Sequence, residues 1–375
     1  MPLTFATPLP QSPRSPILEY KFPSPHQNLS LLGRSRAAWH TSFVVPQLNL
    51  LLDAGLFVSD KLRPKHIFLT HGHSDHTLVA FSFMRREDPP DVVCPWEMAK
   101  ALDDVVLSHT MLNLGGLIKK EDGRKGRASD FEEEEEDVEE AEEQGEELDQ
   151  KKGKKKNGYK SSKDAITTND LPSTAIWPRQ DRSPGEQSFL NTHITHSLSP
   201  NDSILLRRLP QFSATAFACD HTVPSLGYLF TRTTHKLNPA YSSLPGPELA
   251  SLRSSGVSLT LPHTTPIFAF LGDGTAKTLA DSPPWLSGAD ANLNNQKVSV
   301  VITECSFLRE EHRAQAEKTK HTIWADLEPV VRKWTETVFV LTHFSLRYSE
   351  REVVEFFDDL EDCPENIVVW ADPEG

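Results

Sequence analysis

Short apolar runs that end abruptly in a polar residue recur along this chain. TSFVVP (Thr41–Pro46) and LNLLLDAG (Leu48–Gly55) read as paired strands, with Asp53-Ala54-Gly55 closing the second. HIFLT (His66–Thr70) reads as a buried strand. The same pattern returns at ATAFACD (Ala214–Asp220), GYLFTRT (Gly227–Thr233), IFAFLGD (Ile267–Asp273), VSVVITE (Val298–Glu304), TVFVLTH (Thr337–His343) and NIVVWAD (Asn366–Asp372). Apolar positions on one face of a 3.6-residue repeat predict helices at Asp326–Thr335 and Glu350–Leu360. Many strands with few helices predict layered sheets flanked by helices, an α/β (α+β) class.

The pattern lapses in two places. The first 15 or so residues are rich in Pro and Ser and are expected to be mobile. From Lys119 to Pro184 an acidic block, a lysine block and a Ser/Thr/Asn/Asp/Pro stretch follow one another with few large apolar residues. No core can form there, so 119–184 is expected to be a disordered insertion dividing folded material into 16–118 and 185–375.

Charge changes the picture only once this block is separated out. Residues 131–149 hold 13 acidic side chains and no Lys or Arg, and without them the formal charge falls from −14 to −1. The acidic total therefore does not exclude a nucleic-acid partner. Lys151 to Lys156 (KKGKKK) has two readings, a nuclear address or solvated linker. The four cysteines are widely spaced with no CxxC pair, which points to reduced thiols. No secretory core and no bilayer-length apolar run is visible, so the expectation is a soluble protein with no membrane association, in the nucleus or cytoplasm.

Candidate chemistry sits where the runs stop. His71, His73, Asp75, His76, His221, Asp273, Glu304 and His343 all fall at or just past the C-terminal edge of an apolar run, where a sheet presents groups on loops. In HGHSDH, positions 71 and 73 point the same way and can share one ion. Asp75 and His76, after a turn, can face a second. Taken singly, His221, Asp273, Glu304 and His343 could each be an ordinary polar group at a strand end. Their joint placement is harder to dismiss.

HxHxDH after a strand resembles the metallo-β-lactamase superfamily. FACDHTVPSLGY, FLGDGT, ITECSF, AEKTKHTI and LTHFSLRY narrow the likeness to the ribonuclease Z family, the tRNA 3′-processing endonucleases, in their short form. That resemblance implies an αββα sandwich carrying two zinc ions per subunit, with Mn²⁺ or another divalent ion as substitute. It implies His71, His73 and His221 on one ion and Asp75, His76 and His343 on the other, with Asp273 bridging. It also implies Asp75 as proton acceptor, His321 held by Glu304 as general acid, and Arg347 with Ser345 steadying phosphate or the local loop. The implied partners are precursor tRNA and a second copy in a homodimer, while the acidic insertion offers a surface to an unidentified protein. Two departures stand out. Gly274 separates Asp273 from Thr275 where the family reads GDT, which loosens support for the bridging carboxylate. Thr231–Thr265, where longer forms carry a tRNA-gripping arm, is short and poor in cations. The competing readings are a hydrolase of another substrate, a small phosphodiester or thioester, and a non-catalytic scaffold. His193 and His196 of NTHITHSL are expected to be surface residues, and His40 a neighbour rather than a ligand.

Overall fold

The computed structural model describes residues 17–59, 61–113, 175–176 and 182–373. The expected mobile segment 1–15 lies outside them, as does most of the expected insertion 119–184. Fifteen strands alternate with helices among the described residues: β1 Leu18–Lys21, β2 Ser30–Arg36, β3 His40–Val45, β4 Leu50–Leu52, β5 His66–Phe68, β6 Asp91–Pro95, β7 Ala175–Ile176, β8 Ile194–Leu198, β9 Ser203–Leu206, β10 Leu209–Cys219, β11 Ser225–Leu237, β12 Thr260–Phe270, β13 Val300–Glu304, β14 Val338–Thr342 and β15 Ile367–Val369. They form two sheets, ordered β1-β2-β3-β4-β5-β6-β8-β7 and β15-β14-β13-β12-β11-β10-β9.

Alternation of side chains builds the layers. Phe68 faces the space between the sheets with Phe43, Tyr228, Phe230, Phe268 and Trp370. Its neighbours Ile67 and Leu69 face the other way, onto Ala99 and Leu102 of the helix Trp96–Asn113. On the second sheet Val300, Ile302 and Val340 point inward, while Val301, Phe339 and Leu341 pack outward against Leu327 and Val331 of Trp324–Lys333 and Val353 and Phe357 of Glu350–Asp358. The result is the expected αββα sandwich. Fully burying one such Phe or Leu contributes roughly 1.5–3 kcal/mol.

The parallel strands β4, β5 and β6 of one sheet and β12, β13 and β14 of the other direct their C-terminal ends to one rim. Beneath that rim Tyr228 of β11 donates its phenol proton to the Leu69 carbonyl at 2.7 Å, fastening the two sheets together.

Two expectations need correction. His193 and His196 are not on the surface: both are buried, His196 within β8, bonded to Asp103 (3.1 Å) and Asp91 (2.8 Å). A carboxylate partner makes burial of each imidazole affordable, and that partner lies about 100 residues away in sequence. In addition, Ala175–Ile176, inside the segment expected to lack structure, pairs antiparallel with β8. Thr231–Thr265 is a hairpin extension in which β11 and β12 pair out to Leu237 and Thr260, closed by the helix Gly246–Ser254. Among the described residues no helix is long and apolar enough to cross a membrane.

Candidate metal centre

The rim gathers the separated acceptors. His71, His73, His221 and Asp273 place one donor atom each within 4.8 Å of one another, and so do Asp75, His76, Asp273 and His343. Asp273 belongs to both groups: its Oδ2 lies 3.2 Å from His76 Nε2, 3.3 Å from His343 Nε2 and 3.8 Å from His71 Nε2. Glu304, His321 and His343 form a third group under the same distance limit.

These donors suit divalent cations. Nε2 of His71, His76 and His343 is buried and makes no hydrogen bond, although a buried imidazole nitrogen without a partner costs about 1–3 kcal/mol. His221 Nε2 and His73 Nδ1 face each other at 3.4 Å. Inward lone pairs of this kind, from imidazoles and carboxylates, match the donor preference of zinc and manganese.

The outward nitrogens explain the aim. His76 Nδ1 donates to Asp53 Oδ2 at 2.8 Å, and His221 Nδ1 to the Lys320 carbonyl at 3.2 Å. The Thr70 hydroxyl donates to Asp53, so it accepts from His71 Nδ1 at 3.0 Å. The Ser306 hydroxyl donates to Glu304 Oε2 at 2.6 Å, so it accepts from His343 Nδ1 at 3.0 Å. His321 Nδ1 bonds Glu304 Oε1 at 2.8 Å. Each bond fixes the orientation of its ring, and Nε2 of His71, His76 and His343 is left buried among the other donors.

Backbone geometry contributes as well. Asp53 and His343, each just past a strand, adopt φ of 54° and 61°. Positive φ is uncommon outside glycine, though aspartate and histidine are among the residues that tolerate it, and such positions cluster at functional sites. Gly272 is required by packing, because a Cβ there would come within 2.4 Å of the Thr70 side chain.

Charge is distributed unevenly. Burial, reinforced by His76, holds the His71 imidazole down at about 2, neutral and ready to ligate. Burial would lower His76, but Asp273 and Asp53 outweigh it and hold the ring charged, so a cation at Nε2 displaces a proton. Burial would raise Asp75, but His343 and His76 hold its carboxyl at about 2. For His321 burial again works against the charged form, and Glu304 overcomes it, raising the ring to about 9.

Arg347 and Ser345 lie beside the centre rather than in it. Arg347 is exposed, bonds Ser345 Oγ (3.1 Å) and Gln315 Oε1 (2.8 Å), and lies over the Phe307 ring. Thr275 turns to Asp220 at 3.0 Å, and Gly274 N–H donates to Glu304 Oε1 at 2.6 Å, so the GDGT loop is clasped by other carboxylates. Asp53, Thr70 and Ser306 had no role in the sequence reading. Only Asp53 left a sequence trace, as a carboxylate ending an apolar strand.

Residues 46–196 match the metallo-beta-lactamase superfamily. Over 140 residues it is 31% identical to "tRNase Z TRZ2, chloroplastic" of Arabidopsis thaliana, a match covering 37% of each chain. Over 139 residues it is 30% identical to "tRNase Z TRZ1" of the same plant, covering 37% of this chain and 47% of that one. "Nuclear ribonuclease Z" of Triticum aestivum is 39% identical over 75 residues, covering 20% and 41%. The matches span less than half the length of each of these relatives.

Proposed function

We propose that this chain is a zinc-dependent endoribonuclease that hydrolyses a phosphodiester to remove the 3′ trailer of precursor tRNA, leaving a 3′-hydroxyl on the tRNA. The observation that carries the reading is the His321–Glu304 pair, bonded at 2.8 Å and set beside two donor groups that share Asp273. Two donor groups alone would serve many hydrolyses. A held, partly exposed imidazole next to them suits departure of a ribose oxygen, which is a poor leaving group until it receives a proton.

His71, His73 and His221 would hold one ion and Asp75, His76 and His343 the other, with Asp273 reaching both. Two such ions, zinc or manganese, supply water activated at neutral pH (pKa lowered from about 15.7 towards 7) and neutralisation of phosphate charge. Asp75, ionised and set in the second donor group, accepts the proton of the attacking water. Glu304 keeps His321 protonated and oriented, and His321 passes a proton to the leaving oxygen. Arg347 and Ser345 steady a flanking phosphate or the loop that bears them. A tRNA substrate rests on the names of the relatives; assembly as a homodimer, a protein partner for the acidic insertion and a location in nucleus or cytoplasm belong to the same proposal and rest on the motif resemblance alone.

The test is cleavage of a trailer-bearing precursor tRNA by protein stripped of metal and then resupplied with zinc. Cleavage at the trailer boundary that is lost on stripping and recovered with zinc is the expected result. Turnover of a thioester with no RNA cleavage would sink the reading, and zinc uptake with no turnover would favour a scaffold.

A further inference from the structure

The turn joining β2 to β3 takes no part in the hydrolysis above, yet it is wedged between both donor loops. On one side Ala37 N–H donates to the carbonyl of Phe344, next to His343, at 3.2 Å. Arg36 reinforces this contact by donating to the Ser345 carbonyl at 3.0 Å and to that of Tyr348. On the other side Gly55 N–H donates to Thr41 O at 2.9 Å. A Cβ on Gly55 would fall 1.8 Å from the Asp75 carbonyl oxygen and 2.8 Å from Thr41 N, so the start of β3 lies directly on the backbone of Asp75.

From this wedge Trp39 projects with 60% of its surface exposed. Its indole leans on the His40 ring, centroids 4.2 Å apart at 50°. His40 therefore backs one side of the indole while solvent covers much of the rest. Single exposed apolar residues are common and need no explanation by themselves. Position and backing separate this one from them: the ring rests on His40 and is carried by a turn bonded to the segment after His343 and to Gly55, which packs on the Asp75 backbone, so the turn loses little freedom on binding. The nearby cations are spent, since Arg34 and Arg36 both bond Glu350 (2.7 and 2.6 Å). An aromatic face is what this turn offers.

Resting on the nuclease reading, we propose that Trp39 is a stacking platform for an unpaired nucleobase flanking the scissile phosphate. Every base has a π face, so stacking needs no sequence match and suits an unpaired trailer of variable sequence.

The experiment compares native protein with Trp39→Ala and Trp39→Phe. Kinetics are run on precursor tRNA and on bis-p-nitrophenyl phosphate, with zinc content, anisotropy of a labelled single-stranded RNA on metal-free protein, and sedimentation. Trp39→Ala should raise KM for RNA and weaken single-strand binding by about 5- to 150-fold, the usual worth of one base–aromatic stack. Zinc content and turnover of the small phosphodiester should stay at native values, and Trp39→Phe should recover most of the loss. Equal losses on both substrates, an unchanged KM for RNA, or a lost dimer with RNA affinity intact would each overturn the platform. Native protein that cleaves bis-p-nitrophenyl phosphate but no RNA would remove the nuclease reading and the platform together. RNA cleavage matched by Trp39→Ala would remove the platform alone.

Discussion

Asp53, just past β4 on the first sheet, and Glu304, at the end of β13 on the second, face one another across the centre with matching duties. Asp53 bonds His76 directly and reaches His71 through the Thr70 hydroxyl. Glu304 bonds His321 directly and reaches His343 through the Ser306 hydroxyl. Each is thus a buried carboxylate, supported by a hydroxyl, that orients two imidazoles. The difference lies in what those imidazoles can touch. His71 and His76 are fully buried, whereas His321 keeps 17% of its side chain exposed. In the proposed mechanism the first half of the centre would hold ions and the second would also deliver a proton. One device is put to two uses by depth alone.

The largest effects should separate those uses. Asp75→Ala removes an acceptor that touches both His76 and His343, each at 3.7 Å. It should lose zinc and abolish turnover. His321→Ala should keep native zinc content while slowing turnover by about 10²–10⁴, the usual contribution of a general acid. Metal analysis beside kinetics checks both; equal zinc loss in the two would place His321 among the ligands, as its proximity to His343 and Glu304 permits.

Charge removal at the two carboxylates comes next. Asp53→Asn should weaken zinc affinity by about 10–100-fold, with activity recovered in excess zinc. Glu304→Gln should not be rescued by zinc, because it strips the charge that raises His321. The sign follows from the donor role. A ring raised above its ordinary value is protonated below that raised value and loses its proton as pH climbs through it, so native activity falls on the alkaline side. With the glutamate charge gone, that alkaline limb should move to lower pH. Rate–pH profiles at saturating zinc read it directly, and an unmoved limb would disconnect Glu304 from proton delivery.

The residues gathered at the rim were legible because strands announce their own ends. HGHSDH follows a continuous apolar run, and Asp273, Glu304 and His343 each close one. The groups that aim them were not legible. Asp53 sits in Asp-Ala-Gly, a string that reads locally as the end of a strand, and nothing nearby reveals bonds to residues 17 and 23 positions away. Distance in sequence also hid the helix Trp96–Asn113. Its buried face includes Asp103, which breaks an apolar stripe until His193 is seen beside it. The same ion pair made His193 look like a surface residue. A residue that seems misplaced by local pattern was, in both cases, half of a long-range pair.

The smallest effects probe the two hydroxyls. Thr70→Val keeps shape and removes one bond to His71, a member of the first donor group; Ser306→Ala does the same to His343, a member of the second. Neither orphans its carboxylate, because Asp53 keeps Thr70 N–H at 2.8 Å and Glu304 keeps Gly274 N–H at 2.6 Å and Thr322 N–H at 3.1 Å. Each loss should therefore stay near about tenfold in ion affinity, the low end for an outer partner of a ligating histidine. What distinguishes them is which ion is weakened. Calorimetric titration with zinc should show Thr70→Val altering one binding step and Ser306→Ala the other, with both altered in Asp53→Asn. Identical changes in all three variants would mean that the two donor groups bind as one unit, and that the division between a holding half and a delivering half ends at the imidazoles.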